Sequence, residues 1–138
     1  AAYGLTALDE LQSVIDHNTE VYQGYIEQFS QFDEVNILKY SEQNYSNHQY
    51  AVAQVPANSR DKLVHHFHEN DILVRRYFHP GCHRLEPYKS DPSYNNSRQP
   101  NTENIASKVL VLPTGYQMNQ EGMNRVFDSY SYFIKFKK

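Results

Sequence analysis

Between Tyr50 and Arg76 the chain reads as strand, helix and strand within about 30 residues, and that order admits few folds. Gln49-Tyr50-Ala51-Val52-Ala53-Gln54-Val55 is β-prone and stops at Pro56, which cannot donate to a ladder. Asn58 or Ser59 is expected to cap a helix whose apolar side is Leu63, Val64 and Phe67, ending near Asn70. Ile72-Leu73-Val74-Arg75-Arg76 follows as the second strand, so both strands are expected in one sheet. Val35-Asn36-Ile37-Leu38 supplies a third strand, antiparallel to Tyr50–Val55. The fold class this predicts is α+β: a small antiparallel or mixed sheet of about three strands, packed by helices on one side.

The flanks supply those helices. From Leu8, the residues Leu11, Val14, Ile15, Tyr22, Tyr25, Ile26 and Phe29 recur at helical spacing, with Gly4 and Gly24 weakening the pattern so that the first turns form a separate short helix. Asn101 or Thr102 is expected to open a helix running through Ile105, Ala106 and Val109 and ending before Pro113. Asn119 caps the last helix, in which Met123, Val126, Phe127, Tyr130, Phe133 and Ile134 form a stripe expected to bury against the sheet. Tyr77 to Pro100 carries four prolines and many Asn and Ser residues, a loop long enough to suggest function or disorder.

A chain of 138 residues, 39% hydrophobic, fits a single domain with a modest core, residues 1–138. The net charge of −3 gives no general attraction for phosphate backbones, which argues against nucleic-acid binding; the basic tail Lys135, Lys137 and Lys138 is short. No apolar run approaches a membrane span. The single Cys82 cannot form an internal disulfide and suits a reducing compartment, so a cytoplasmic location is expected. The opening Ala1-Ala2-Tyr3-Gly4-Leu5 lacks methionine and reads as the interior of a longer polypeptide.

Three chemistries compete around the loop. His65, His66, His68, His79, Cys82 and His83 invite a zinc reading, but His66 leaves the face shared by His65 and His68, and His79-x-x-Cys82-His83 matches no common zinc spacing. A Cys82 nucleophile paired with His83 or His79 is disfavoured because adjacent side chains rarely face each other, so Cys82 is expected to be a small packed residue. Arg75 and Arg76 leave opposite faces of their strand; one suits an anionic group such as a diphosphate, and an ordinary salt bridge to Asp or Glu is the competing reading.

The run Asp71-Ile72-Leu73-Val74-Arg75-Arg76-Tyr77-Phe78-His79-Pro80-Gly81-Cys82-His83, with Glu86-Pro87-Tyr88, resembles the C-terminal part of the DegT/DnrJ-type sugar-nucleotide aminotransferases. Ala1 to Leu8 is similar to the helix that opens their small domain, and Asn101-Thr102-Glu103 through Val109 to Gly115 to their helix and Leu-Pro segment. The resemblance implies the C-terminal small domain of a homodimeric pyridoxal-phosphate enzyme of the aspartate-aminotransferase fold type, aminating a nucleotide-linked keto-deoxysugar with glutamate as donor. It implies Arg76, Tyr77, His79 and His83 as substrate contacts, with no catalytic, metal or cofactor-binding residue in this chain. The cofactor lysine belongs to the family's large domain, and none of Lys39, Lys62, Lys89, Lys108, Lys135, Lys137 and Lys138 matches its motif. The chain alone is therefore expected to be inactive. The alternative expectation is a free-standing binding or assembly module without enzymatic activity. Surface around Tyr3, Tyr22 and Phe78 is expected to be exposed and to favour self-association.

Overall fold

The computed structural model describes residues 2–41, 43–94 and 98–136. The C-terminal pair Lys137 and Lys138 and the loop residues Asn95 to Ser97 lie outside them. Five α-helices appear among the described residues: α1 (Ala2–Asp9), α2 (Leu11–Phe29), α3 (Ala57–Glu69), α4 (Pro100–Ala106) and α5 (Gln120–Phe136). They accompany strands β1 (Asn36–Ile37), β2 (Ala51–Gln54) and β3 (Val109–Leu112) and a 3-10 turn at Cys82–Arg84. The sheet is antiparallel throughout, in the order β1-β2-β3, with Ile37 opposite Ala53, Ala53 opposite Leu110, and Ala51 opposite Leu112. Residues directly opposite share a face. These five are all buried, and they form the floor of the core.

Ile15, Asn18, Tyr22, Tyr25 and Phe29 step along α2 at intervals of three and four, and all five are buried. Two of the tyrosines satisfy their hydroxyls on strand ends, as buried phenols must. Tyr25 donates to the Pro113 carbonyl at 2.8 Å, and Tyr22 donates to Leu38 O and accepts from Tyr40 N, both at 3.1 Å. Burial drives the Tyr25 phenol well above its ordinary pKa. At the far end, the Phe29 ring meets Tyr25 edge-on at 6.1 Å, Phe127 edge-on at 6.1 Å and Tyr130 at 5.2 Å. Helices α2 and α5 approach closely where Gly24 stands, since a Cβ there would lie 2.9 Å from the Met123 sulfur.

Several expectations need correction. Ile72–Arg76 is no strand: only Arg75 bridges the sheet, exchanging both backbone hydrogen bonds with Val111 at 3.1 and 2.8 Å. Residues Val109 to Leu112, expected as the end of a helix, form β3 instead, and α4 stops at Ala106. Four consecutive apolar residues fit either state, and the β-branched Val109 and Val111 decide for the strand. The crossover from β2 through α3 thus returns beyond β3 and not beside β2. Helix α3 starts at Ala57 behind Pro56, with no side-chain cap from Asn58 or Ser59. The stripe on α5 buries mainly against α2 and α3. Tyr22 is 6% exposed and belongs to the core, while Tyr3 and Phe78 are 94% and 67% exposed. The separate first helix, the antiparallel pairing of β1 with β2, and the Asn119 cap, whose Oδ1 accepts from Gly122 N at 2.9 Å, are as the sequence indicates.

Phe29 tests this packing. Phe29→Ala is expected to cost about 3–5 kcal/mol in denaturant unfolding, whereas Tyr3→Ala on the exposed first helix changes stability by less than about 0.5 kcal/mol.

Candidate functional site

The segment after Val74 leaves the sheet edge at Arg75 and turns through Tyr77 to Arg84 across the ends of α3 and α4. Its shape comes partly from Gly81, whose φ of +113° belongs to glycine alone; a Cβ there would stand 2.8 Å from the His83 ring. Tyr77–Phe78, His79–Pro80 and Glu86–Pro87 are cis peptides. The Tyr77 ring stacks on Phe78 at 5.3 Å and meets Tyr50 edge-on at 6.0 Å, while the Arg75 guanidinium donates to the Tyr77 hydroxyl and lies over the ring.

Ion pairs fasten the loop at two points. On α3, Asp61 Oδ1 lies 3.1 Å from Arg76 Nη1 and 3.0 Å from Arg60 Nε, and Arg60 Nη2 reaches His79 Nδ1 at 3.0 Å. Burial lowers the Arg60 guanidinium from its ordinary pKa, with the Asp61 carboxylate opposing and the Arg76 cation adding to the effect. On α4, Glu103 Oε1 accepts from His83 Nε2 at 2.9 Å and from Arg84 Nη2 at 2.9 Å. The hydrogen bond from His83 and then that from Arg84 hold the Glu103 carboxyl down at about 2. Two open cavities flank the loop. One, of about 460 Å³, is mainly apolar, with Tyr77, Phe78 and Cys82 facing Ile105, Ala106 and Val109. The other, of about 430 Å³, is bordered by His79, Pro80, Arg84, Lys89 and Glu103, four of them with polar or charged ends.

The four residues singled out in the sequence therefore divide. Arg76 and His79 meet through the Arg60–Asp61 pair, Tyr77 borders the apolar cavity, and His83 is tied to Glu103. The competing salt-bridge reading holds for Arg76, on Asp61, while Arg75 has no carboxylate partner among the described residues and donates to the Tyr77 hydroxyl. Sequence reasoning missed Arg60, Asp61 and Glu103; only Glu103 gave a signal, as an acidic residue in the first turn of α4. Cys82 is exposed and lines the apolar cavity, where a packed residue was expected, because the 3-10 turn lifts it off the core.

The histidines of α3 are spent on separate partners: His65 on Glu69 at 3.2 Å, His66 on Ser129 O at 3.0 Å and His68 on Val74 O at 2.9 Å. Among the described residues, no three His, Cys, Asp or Glu side chains group as a metal site needs. No helix among the described residues is long and apolar enough to cross a membrane.

A three-stranded antiparallel sheet covered by helices, with an ion-paired loop on its edge, describes a small α+β unit, and comparison with known proteins gives its family. Residues 1–131 match the model of the DegT/DnrJ/EryC1/StrS aminotransferase family, and the chain belongs to that family. A dTDP-4-amino-4,6-dideoxy-D-glucose transaminase of Shigella dysenteriae is 27% identical over 124 residues, 88% of this chain and 33% of the relative; the Escherichia coli protein of that name is 26% identical over the same shares. Among solved structures, DesI in the presence of its TDP-sugar product superposes with a TM-score of 0.86 at 31% identity, over 97% of this chain and 34% of that one. The aminotransferase TlmJ from Streptoalloteichus hindustanus shares the fold at 14% identity, with a TM-score of 0.78 over 96% of this chain and 35% of TlmJ. The chain spans about a third of the length of these relatives.

The Glu103 fastening is pH-dependent in a stated direction. A carboxyl depressed on folding contributes stability that is complete above its unfolded value, about 4.3, and is lost as pH falls toward about 2. Wild type is thus expected to exceed Glu103→Gln in stability at neutral pH, with the gap closing between those limits in acid unfolding curves. Gly81→Ala is expected to destabilise by about 1–3 kcal/mol, read by thermal unfolding.

Proposed function

We propose that this chain is the C-terminal small domain of a pyridoxal-phosphate-dependent sugar-nucleotide aminotransferase, the part that covers the substrate and not the part that holds the cofactor. The observation that carries the reading is the close superposition on DesI, whose structure was solved with its TDP-sugar product, over nearly all of this chain and a third of DesI. The Shigella dysenteriae and Escherichia coli relatives, both named as dTDP-4-amino-4,6-dideoxy-D-glucose transaminases, support a dTDP-linked deoxysugar as the ligand; a homodimeric parent enzyme is part of the same proposal. Arg76, Tyr77, His79 and His83 are the substrate contacts in this reading. A guanidinium, a phenol and imidazoles suit a ligand rich in phosphate and hydroxyl oxygens.

Among the described residues, the lysines do not fit pyridoxal phosphate. That cofactor supplies an electron sink for moving an amino group, and it needs an amine in a prepared pocket. Lys39, Lys62, Lys89 and Lys135 are exposed, and Lys108 sits half-buried in the turn before β3. Among the described residues no lysine borders the apolar cavity, and Lys89, which borders the cavity beside His79, is an exposed side chain. Here the chain's work is to bind, orient and screen from water the sugar nucleotide.

Two measurements test the reading. The absorbance spectrum of pyridoxal phosphate is expected to stay unchanged on mixing with this chain; a covalent adduct, or an amino sugar made by the chain alone, would contradict it. Grafted in place of the matching third of the Shigella dysenteriae transaminase, the chain is expected to support transamination of a dTDP-keto-deoxysugar, and Arg76→Ala or His79→Ala in the graft to lower kcat/KM by roughly tenfold or more.

A further inference from the structure

Arg60 lies in the first turns of α3 with 1% of its surface exposed. A cation there has neither water nor a favourable helix dipole. Its donors are incompletely used: Nη2 donates to His79 Nδ1 at 3.0 Å, Nε lies 3.0 Å from Asp61 Oδ1 but off the N–H direction, and Nη1 has no partner among the described residues. Stability is a weak reason for such a residue, because the desolvation cost of a buried charge is repaid only when its geometry is good and its remaining donors are satisfied.

Donor chemistry supplies a reason. A guanidinium carries only donors, so in this contact His79 Nδ1 must be the acceptor, and the neutral ring then bears its proton on Nε2. The neighbouring Asp61 holds Arg76 by the same Oδ1 that faces Arg60. One helical dipeptide thus reaches both ends of the turn from Arg76 to His79.

We propose that Arg60, backed by Asp61, is a positioning residue: it fixes His79 as the Nε2–H tautomer and couples it to Arg76, so that the loop presents N–H donors to an oxygen-rich anion such as a diphosphate. The identity of that anion rests on the sugar-nucleotide reading; the tautomer and its cause do not. The charged side chains bordering the cavity beside His79 agree in sign, for Lys89 and Arg84 outnumber Glu103.

The test is the ring-nitrogen NMR spectrum of His79 in the full chain, in mildly alkaline buffer where free imidazole is neutral, with its signal assigned by its loss in His79→Gln. Wild type is expected to show a protonated Nε2 and a hydrogen-bonded, unprotonated Nδ1. Arg60→Met is expected to shift Nδ1 to the position of free imidazole, and Arg60→Lys, whose ammonium also donates, to restore most of the wild-type shift. A merely structural arginine would leave the His79 signal where it was. An Nδ1–H signal in wild type, or an Nδ1 position unchanged in a folded Arg60→Met, would overturn the proposal. Should Arg60→Met fail to fold, the wild-type spectrum decides: scalar coupling from Nδ1 to a guanidinium nitrogen supports the role, and a protonated Nδ1 refutes it. Because no ligand enters these spectra, they can fail while the graft succeeds, or the reverse.

Discussion

The ring cluster at Phe29 joins the end of α2 to the middle of α5, and the position of everything else follows from it. Phe29 touches Tyr25 on its own helix and Phe127 and Tyr130 on α5, while Phe32 closes the cluster from the turn beyond α2. Burying aromatic surface of this size supplies the main driving force available to a chain of 138 residues. With α2 and α5 locked, α3 fills the remaining side, and Leu63, Val64 and Phe67 complete the layer above the sheet. The sheet contributes little area of its own, since its strands are two to four residues long. Helix packing holds the strands, and the strands set where the loop leaves.

From that frame the loop is held by charge and not by burial. Phe78 is exposed and Cys82 faces a cavity, yet Arg76, His79, His83 and Arg84 each have a partner on α3 or α4. The exposed pairs among them, Arg76–Asp61 and Arg84–Glu103, add little to global stability. Their effect is local: they restrict which way the polar side chains of a long, proline-rich segment point. On the proposed reading, in which the loop meets a charged ligand, it gains from arriving already ordered, because the cost of ordering is then met in folding and not in binding.

Much of this was legible in the sequence. The apolar stripes of α2 and α5 follow the helical period closely, and the resemblance carried by residues 71–88 led to the family that the match over residues 1–131 establishes. What was not legible has physical causes. Val109 to Leu112 is a short apolar run whose state is decided by its partner β2, far away in sequence; it takes the place beside β2 that the crossover reading gave to Ile72–Arg76. Tyr22 lies on the apolar stripe that the helical period marks, and its expected exposure comes from the resemblance to a larger enzyme; nothing local reveals that its hydroxyl will find Leu38 and Tyr40. Arg60 could not be found at all: an arginine beside an aspartate on a helix reads as solvated surface, and only the loop folding over it makes it a buried cation.

The account's central claim is that the Arg76–Arg84 loop is an ordered, ligand-facing element, held by α3 and α4. A crystal structure of the grafted transaminase with a bound dTDP-sugar tests it most directly. Oxygen atoms of the sugar nucleotide within hydrogen-bonding reach of Arg76 or His79, with the Asp61 and Glu103 pairs intact, are the predicted result. A sugar nucleotide bound wholly elsewhere, with this loop displaced from both helices, would contradict it.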